Sequence, residues 1–343
     1  MDVFIMFLGF ALAAYSVVGN DVIQTLGTFL TSNSNRPWWV LWIFVAGLMT
    51  ITLVLGYSGH GQFLGGDDVT FDRLDKIDIP AHLSLWYLIP PIVLLIITRF
   101  GIPVSTTFLI LSFFSIKSLP GMVFKSLMGY AVAFSFAIVF YFIISKFIER
   151  KFRDIPLNEN GGFWNSSKFW TAAQWASTSF LWVQWLTQDL ANIFVYLGRP
   201  EGLSVAKFAI AMLILIAMVG FIFAQRGGRI QNIIKSKSNT ADIRSATLID
   251  FSYGLVLLIF MRNVFGIWDS KLPMSTTWVF LGLLAGREIA MRYHLGPKPD
   301  RNLSFLLFSD IGKAALGLVV SVTLVIFLFL VEGKDVSLLF SAN

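Results

Sequence analysis

The sequence predicts an all-α integral membrane protein made of two inverted-topology repeats, with broken helices and re-entrant helical hairpins. Three observations carry that expectation. Of 343 residues, 56% are apolar and 13% are charged, against about 45–50% and about 25% in soluble domains, so a soluble globule would lack the charged side chains to cover its surface. The apolar runs are continuous rather than alternating, which selects helices over barrel strands. Finally, two short polar motifs recur in the same order, one copy of each in either half of the chain.

Apolar segments lie near 3–32, 37–57, 83–116, 122–148, 168–198, 203–224, 245–286 and 304–331. A single span needs about 20 residues. Segments 3–32, 83–116 and 245–286 are well beyond the length of one span, and with 168–198 they contain polar interruptions. They predict broken helices or re-entrant hairpins, which a membrane tolerates where protein or a water-filled cavity satisfies the backbone. No Lys or Arg precedes Val3, so the first segment lacks the n-region of a cleavable leader and is expected to remain as a span. The stretch 58–82, with Asp67, Asp68, Asp72, Asp75 and Asp78, is expected to be a solvated polar loop.

The repeat rests on two pairs of motifs. Gly19-Asn20-Asp21-Val22 is answered in the second half by Thr187-Gln188-Asp189-Leu190. Pro103-Val104-Ser105-Thr106-Thr107 is answered, at nearly the same displacement along the chain, by Pro273-Met274-Ser275-Thr276-Thr277. Two motifs in register predict a duplicated unit, with halves 1–160 and 161–343. If 83–116 enters and leaves on one side, the first half crosses three times, and an odd number inverts the second half. Basic residues orient the chain. With the N-terminus outside, fifteen Lys and Arg, including Arg36, Arg150, Lys168, Arg226, Arg244 and Arg287, fall on the cytoplasmic side, and five, Arg73, Lys76, Lys117, Arg199 and Lys334, fall outside. That asymmetry predicts both termini outside, in an inner or plasma membrane.

The remaining composition narrows function. The net charge of +6 is explained by loop topology, so no nucleic-acid partner is expected. With no cysteine, disulfides and thiolate chemistry are excluded. His60, His82 and His294 do not cluster, so no transition-metal site is expected. No nucleophile elbow, phosphate-binding loop or zinc-protease helix occurs, which argues against an enzyme. Trp38, Trp39, Trp42 and Trp86 fit interfacial belts or packing.

A carboxylate at membrane depth is costly unless a cation, a proton or a partner compensates it. Asp21 with Asn20 and Gln24, and Asp189 with Gln188 and Asn192, therefore form candidate cation sites; their oxygen ligands suit sodium, and a proton remains an alternative. Each Asp can also cap the half-helix that follows it. Ser105, Thr106 and Thr107, and their counterparts Ser275, Thr276 and Thr277, each precede an apolar run. Hydroxyls and open N–H groups at such a helix start make an anion cradle, which inverted symmetry would double. Arg99 and Lys271, just before the two motifs, are candidate fixed charges but do not occupy equivalent repeat positions. Arg262, Asp250, Asp269, Asp310 and Lys313 are expected to form internal ion pairs.

These residues resemble the inorganic phosphate transporter (PiT) family, which includes sulfate permeases and carries a GANDVAN-like and a PVSTTH-like motif in each inverted half. The first pair here reads Val18-Gly19-Asn20-Asp21-Val22-Ile23-Gln24 and Leu186-Thr187-Gln188-Asp189-Leu190-Ala191-Asn192, so each copy exchanges a different asparagine for glutamine. The motif histidines are replaced by Phe108 and Trp278. The resemblance implies symport of a tetrahedral oxyanion, phosphate before sulfate, coupled to sodium by alternating access. The aspartates and their amides would surround sodium and the Ser-Thr-Thr hydroxyls would hold the anion. No cofactor beyond the coupling ion is implied; the bilayer and the anion are the expected partners, and a homo-oligomer is compatible. Alternatives are a sulfate or other oxyanion permease, sodium- or proton-coupled, an anion channel, and a non-transporting anion sensor.

Overall fold

The computed structural model describes residues 2–99, 104–144, 152, 155–159, 161–226, 242–295 and 303–340. Pro103 and most basic residues of the predicted cytoplasmic loops, Arg150 among them, lie outside the described residues, as do the side chains of His294, Asp310 and Lys313. The described residues are helical or looped, and six helices are long and apolar enough to cross a membrane: Val3–Val22, Trp38–Tyr57, Ile116–Ile144, Val205–Ala224, Ile243–Met261 and Ala314–Val331. This is consistent with a multi-pass membrane protein.

In chain order, α1 (Asp2–Val17) runs through a π turn (Val18–Val22) into α2 (Ile23–Ser32). The expected break in 3–32 is thus one extra residue in a helical turn, not a separation of two helices. Helix α3 covers Trp38–Tyr57 and begins after Pro37, whose ring suits a helix entrance. A 3₁₀ turn (Leu85–Leu88) leads into α4 (Ile89–Arg99); a second π turn (Thr107–Leu111) leads into the single turn α5 (Ser112–Phe114). Tyr87 packs on Phe113 and Phe114, with ring centroids 4.6 and 4.8 Å apart, so this segment leaves where it entered. Helices α6 (Leu119–Ile144), α7 (Ser167–Asp189), the short α8 (Ala191–Phe194), α9 (Val205–Ala224), α10 (Ile243–Met261), α11 (Thr276–Leu295) and α12 (Leu303–Val331) complete the bundle. Ser166, Ser204 and Asp242 cap α7, α9 and α10 by accepting from the N–H of Phe169, Lys207 and Arg244.

Side-chain bonds identify the two ends of the bundle. At one end, Tyr57 donates to the Leu203 carbonyl (3.1 Å), Arg199 to those of Leu74 and Ile77 (2.7 and 2.8 Å), and Lys334 to the Tyr87 hydroxyl (2.6 Å). At the other, Asn33 donates to Gln174 (2.9 Å), Arg226 to the carbonyls of Ser34 and Arg36, and Arg244 to that of Ile155 (2.9 Å). Phe10 of α1 packs on Phe194 (5.5 Å), and Tyr196 donates to the Tyr87 carbonyl. The start of α1 and the end of α12 therefore share the first end, as an even number of crossings requires.

Helices α10 and α11 form the second hairpin, joined by Tyr253, which donates to the Thr276 carbonyl (3.0 Å). Its arms are 19 and 20 residues long, against 11 for α4, so the two hairpins are unequal. Helix α7 is not among the six apolar helices, whereas α10 is. Helices α6 and α11 pack closely through Gly282 and Gly286, where an added Cβ would collide with the carbonyl oxygens of Tyr130 and Phe134. Small residues four apart let two backbones approach in this way.

The segment between α3 and α4 overturns its expectation as a solvated loop. Val69, Thr70, Phe71, Leu74 and Ile77 are buried, and Gly66 passes so near Phe71 that a Cβ would strike its backbone. The physical reason is an apolar residue every two to four positions between the aspartates, which face outward to Lys117 (Asp78, 2.7 Å) and Lys271 (Asp75, 2.5 Å).

Candidate functional site

The π turn at Val18–Val22 interrupts the i→i−4 ladder around Asn20 and Asp21, and such bulges re-aim side chains. Asn20 Nδ2 donates to Asp21 Oδ1 and to the Val104 carbonyl, both at 2.8 Å, and Gln24 Nε2 donates to Asn20 Oδ1 at 3.3 Å. In the second half Asp189 ends α7, and Asn192, one turn later, donates to Asp189 Oδ1 at 2.9 Å.

The hydroxyl motifs meet these carboxylates. Thr106 Oγ1 donates to Asp21 Oδ2 at 2.6 Å, and Thr276 Oγ1 donates to Asp189 Oδ2 at 2.6 Å. Further bonds cross between the halves, among them Thr277 Oγ1 to Asp21 Oδ1 (3.4 Å) and Asn192 Nδ2 to Thr106 Oγ1 (3.0 Å) and to Thr107 Oγ1 (3.4 Å). Thr107 donates to the Met274 carbonyl at 3.2 Å. Ser105 and Ser275 accept from the N–H of Phe108 and Trp278 (3.2 and 3.4 Å), acting as helix caps. Phe108 and Trp278 face each other edge to face with centroids 6.1 Å apart. Residues that the sequence divides between a cation and an anion thus stand in one cluster.

All twelve of the residues singled out by sequence, Asn20, Asp21, Gln24, Ser105, Thr106, Thr107, Gln188, Asp189, Asn192, Ser275, Thr276 and Thr277, are buried. Asp21 accepts from Asn20, Thr106 and Thr277, and Asp189 accepts from Asn192 and Thr276. Among the described residues no lysine or arginine bonds to either carboxylate. Two buried carboxylates supported by neutral donors alone are expensive unless a cation or proton joins them. The chemistry of the donor set fits a hard monovalent cation: Gln24 Oε1, Gln188 Oε1 and Asn192 Oδ1 are buried without a protein partner, and oxygen is the ligand sodium takes. Gln188 Nε2 is unpartnered too, so the glutamine of each motif is the amide that does not reach its aspartate.

Other expectations of charge fare differently. Lys271 is half-exposed and pairs with Asp72 (3.5 Å) and Asp75, and Arg99 is exposed; neither is part of the cluster. The internal ion pairs expected of Asp269 and Arg262 do not form: Asp269 makes a half-exposed pair with Lys76 at 3.6 Å, and Arg262 donates to the Phe63 carbonyl, because both stand at the exposed end of the bundle. Asp250 departs furthest from its expectation: it accepts from Thr28, from Thr178 (2.5 Å) and from Gln174 (3.3 Å), all neutral donors. The reason is spacing, because Thr28 stands two turns beyond Asp21 on the same helical face and Thr178 lies on α7.

Sequence reasoning missed Arg73 and Lys125. Both are 1% exposed. Arg73 reaches inward from the segment between α3 and α4, its Nε donating to the Thr187 carbonyl at 3.1 Å and its Nη1 to that of Ser270. Burial pushes its guanidinium down to about 10, opposed by Asp72, Asp269 and Asp68, so it is charged at neutral pH. Lys125 donates to the carbonyls of Asp269, Ser270 and Leu272 (2.9, 3.2 and 2.5 Å). A signal for Lys125 existed, since a lysine inside an apolar helix needs acceptors; Arg73 had none beyond its alternating neighbours. No protein-family model, curated protein or solved structure matches the chain.

Proposed function

We propose that the protein is a secondary transporter that carries a tetrahedral oxyanion, phosphate in the first instance, together with sodium. The observation that carries this reading is the matched pair of bonds, Thr106 to Asp21 and Thr276 to Asp189, each 2.6 Å and each joining an interrupted helix to a hairpin. In this reading the halves 1–160 and 161–343 are inverted repeats. The hairpin 85–114 dips in from the outer face and α10–α11 enters from the cytoplasmic face, as their opposite directions in the bundle suggest. The end that holds the start of α1 and the end of α12 faces outside, on the basic-residue asymmetry.

Coupling follows from charge. Sodium bound at Asp21 and Asp189 offsets the carboxylate charge that would otherwise repel an anion; the anion in turn favours sodium, and the two affinities rise together. Because Asn192 and Thr277 tie each motif to the other half, a change at one aspartate is felt at both hairpins, which is what alternating access at a repeat interface requires. The resemblance to the phosphate transporter family supports the same substrate class.

The test is uptake of radiolabelled phosphate and sulfate into proteoliposomes, each with an inward sodium gradient, an inward proton gradient or neither. Sodium-driven accumulation of phosphate is expected. Accumulation of sulfate, or driving by protons, would reassign the substrate or the coupling ion. Flux that ignores both gradients would mark a channel, and anion binding without flux a sensor.

A further inference from the structure

Two buried cations converge on one backbone oxygen. Arg73 Nη1 and Lys125 Nζ both donate to the Ser270 carbonyl. Their other partners are carbonyls as well, Thr187 for Arg73, and Asp269 and Leu272 for Lys125. The nearby carboxylates are committed elsewhere and partly exposed: Asp269 to Lys76, and Asp72 and Asp75 to Lys271. Carbonyl dipoles solvate a cation but do not neutralise it, and like charges at close quarters raise each other's cost in a low-dielectric wall. One donor remains unused. Arg73 Nη2 is buried with no protein partner, and a buried guanidinium N–H left unmade carries its full desolvation penalty.

The position gives that donor a purpose. Thr187 stands two residues before Asp189, and the 269–272 stretch leads directly into Ser275. Ser126, next to Lys125, accepts from the N–H of Ser275 at 2.8 Å. The cation pair is therefore built into the wall that joins the outer segment to the second hydroxyl motif. A planar guanidinium with a free Nη2 suits an oxyanion oxygen, and a neighbouring ammonium adds charge.

We propose that Arg73 and Lys125 form an oxyanion-binding site on the outer side of the Asp21–Asp189 cluster, with Arg73 Nη2 as the first protein ligand that phosphate or sulfate meets. The proposal rests on the transport reading for its direction, outside to inside, but not for the binding itself. It gives the anion a fixed positive partner that the cluster lacks, and it makes Arg73 a determinant of anion affinity rather than of sodium affinity.

The experiment measures equilibrium binding of phosphate and of sulfate to the purified full chain in detergent, at fixed saturating sodium, beside the uptake assay. Arg73→Gln is expected to weaken anion binding at least tenfold and to raise the half-saturating anion concentration for uptake. Half-saturation by sodium should move less than twofold. Arg73→Lys keeps the cation and loses the free Nη2; it guards against a Gln variant that fails to fold, and it should weaken anion binding by a smaller factor. Wild-type anion affinity in either folded variant overturns the site, as does absence of phosphate and sulfate binding by the wild-type chain. Loss of maximal rate at unchanged anion affinity also overturns it, leaving Arg73 a structural tie. Arg73-dependent binding without gradient-driven uptake would support the site while refuting the transporter; normal uptake with unchanged Arg73→Gln affinity would do the reverse.

Discussion

In the first half the motif aspartate sits inside a helix that continues beyond it, from α1 through the π turn into α2; in the second it is the last residue of α7, and only the short α8 follows. The first hairpin is short and resumes with another π turn, while the second is made of two full-length helices. Against those differences the threonine-to-carboxylate bond is the same length in both halves. The comparison teaches that two differently built stretches of chain can make the same contact at the centre while their ends differ. What the centre requires is a donor at hydrogen-bond distance from a buried charge, and that can be met by a bulged helix or by a helix end.

The amides sharpen the point. Asn20 and Asn192 occupy different places in their motifs, one before its aspartate and one after, yet each donates to its own Oδ1. Gln24 and Gln188 fill the complementary places and leave their side-chain oxygens unpartnered. Each half thus has one short amide that bonds its carboxylate and one longer amide whose oxygen is left without a protein partner.

The largest expected effect comes from removing either charge. Asp21→Asn and Asp189→Asn should each lower sodium-driven uptake roughly 100-fold, the upper range of a coupling energy between sites, in protein that still elutes as a single species. Full activity in one of them would break the equivalence of the halves. Next is Gly286→Leu, which forces α11 away from the Phe134 carbonyl; overpacking of this kind costs about 1–3 kcal/mol or more, read as a lower midpoint of thermal unfolding and a smaller folded yield. The corresponding change at Gly312, where nothing lies within 4 Å, should be nearly silent.

Thr106→Val and Thr276→Val each remove one charge-assisted donor, worth about 1.5–3 kcal/mol. The loss of stability should be larger for Thr106→Val, which also removes the acceptor of Asn192 Nδ2 (3.0 Å), while sodium half-saturation shifts in the same direction in both; a shift in one alone would show that one aspartate carries the coupling. The smallest effects should follow Gln24→Asn and Gln188→Asn. Each shortens by one methylene, about 0.8 kcal/mol of apolar burial, an arm whose Oε1 is unpartnered, and Gln24 also loses its long 3.3 Å bond to Asn20, so stability should move little while sodium half-saturation changes a few-fold. Unchanged sodium response in both would assign these amides to packing.

Much of this site is legible in the sequence because its parts are local. An aspartate beside amides inside an apolar run, and three hydroxyls before another, are recognisable in a single stretch of chain, and their recurrence at nearly equal displacements marks them as a pair. The segment 58–82 reads as a solvated loop because its acidic residues dominate its composition, while Phe71, Leu74 and Ile77 do the packing. The ion-pair expectation for Asp250 fails because opposite charges in spans need not face one another; its partners Thr28 and Thr178 come from helices far apart in sequence.

The sequence by itself determined an all-helical chain of span-length apolar segments and the identity of the buried polar residues, because hydropathy and the cost of an unpaired polar group act on each segment alone. Only the tertiary structure decided which hydroxyl meets which carboxylate, that Thr277 and Asn192 bond across the two halves, and that Arg73 and Lys125 share the Ser270 carbonyl. Such contacts join residues remote in the chain, Thr277 and Asp21 most of all. A hydrogen bond acts over about 3 Å, so it exists only once packing has brought its donor and acceptor together.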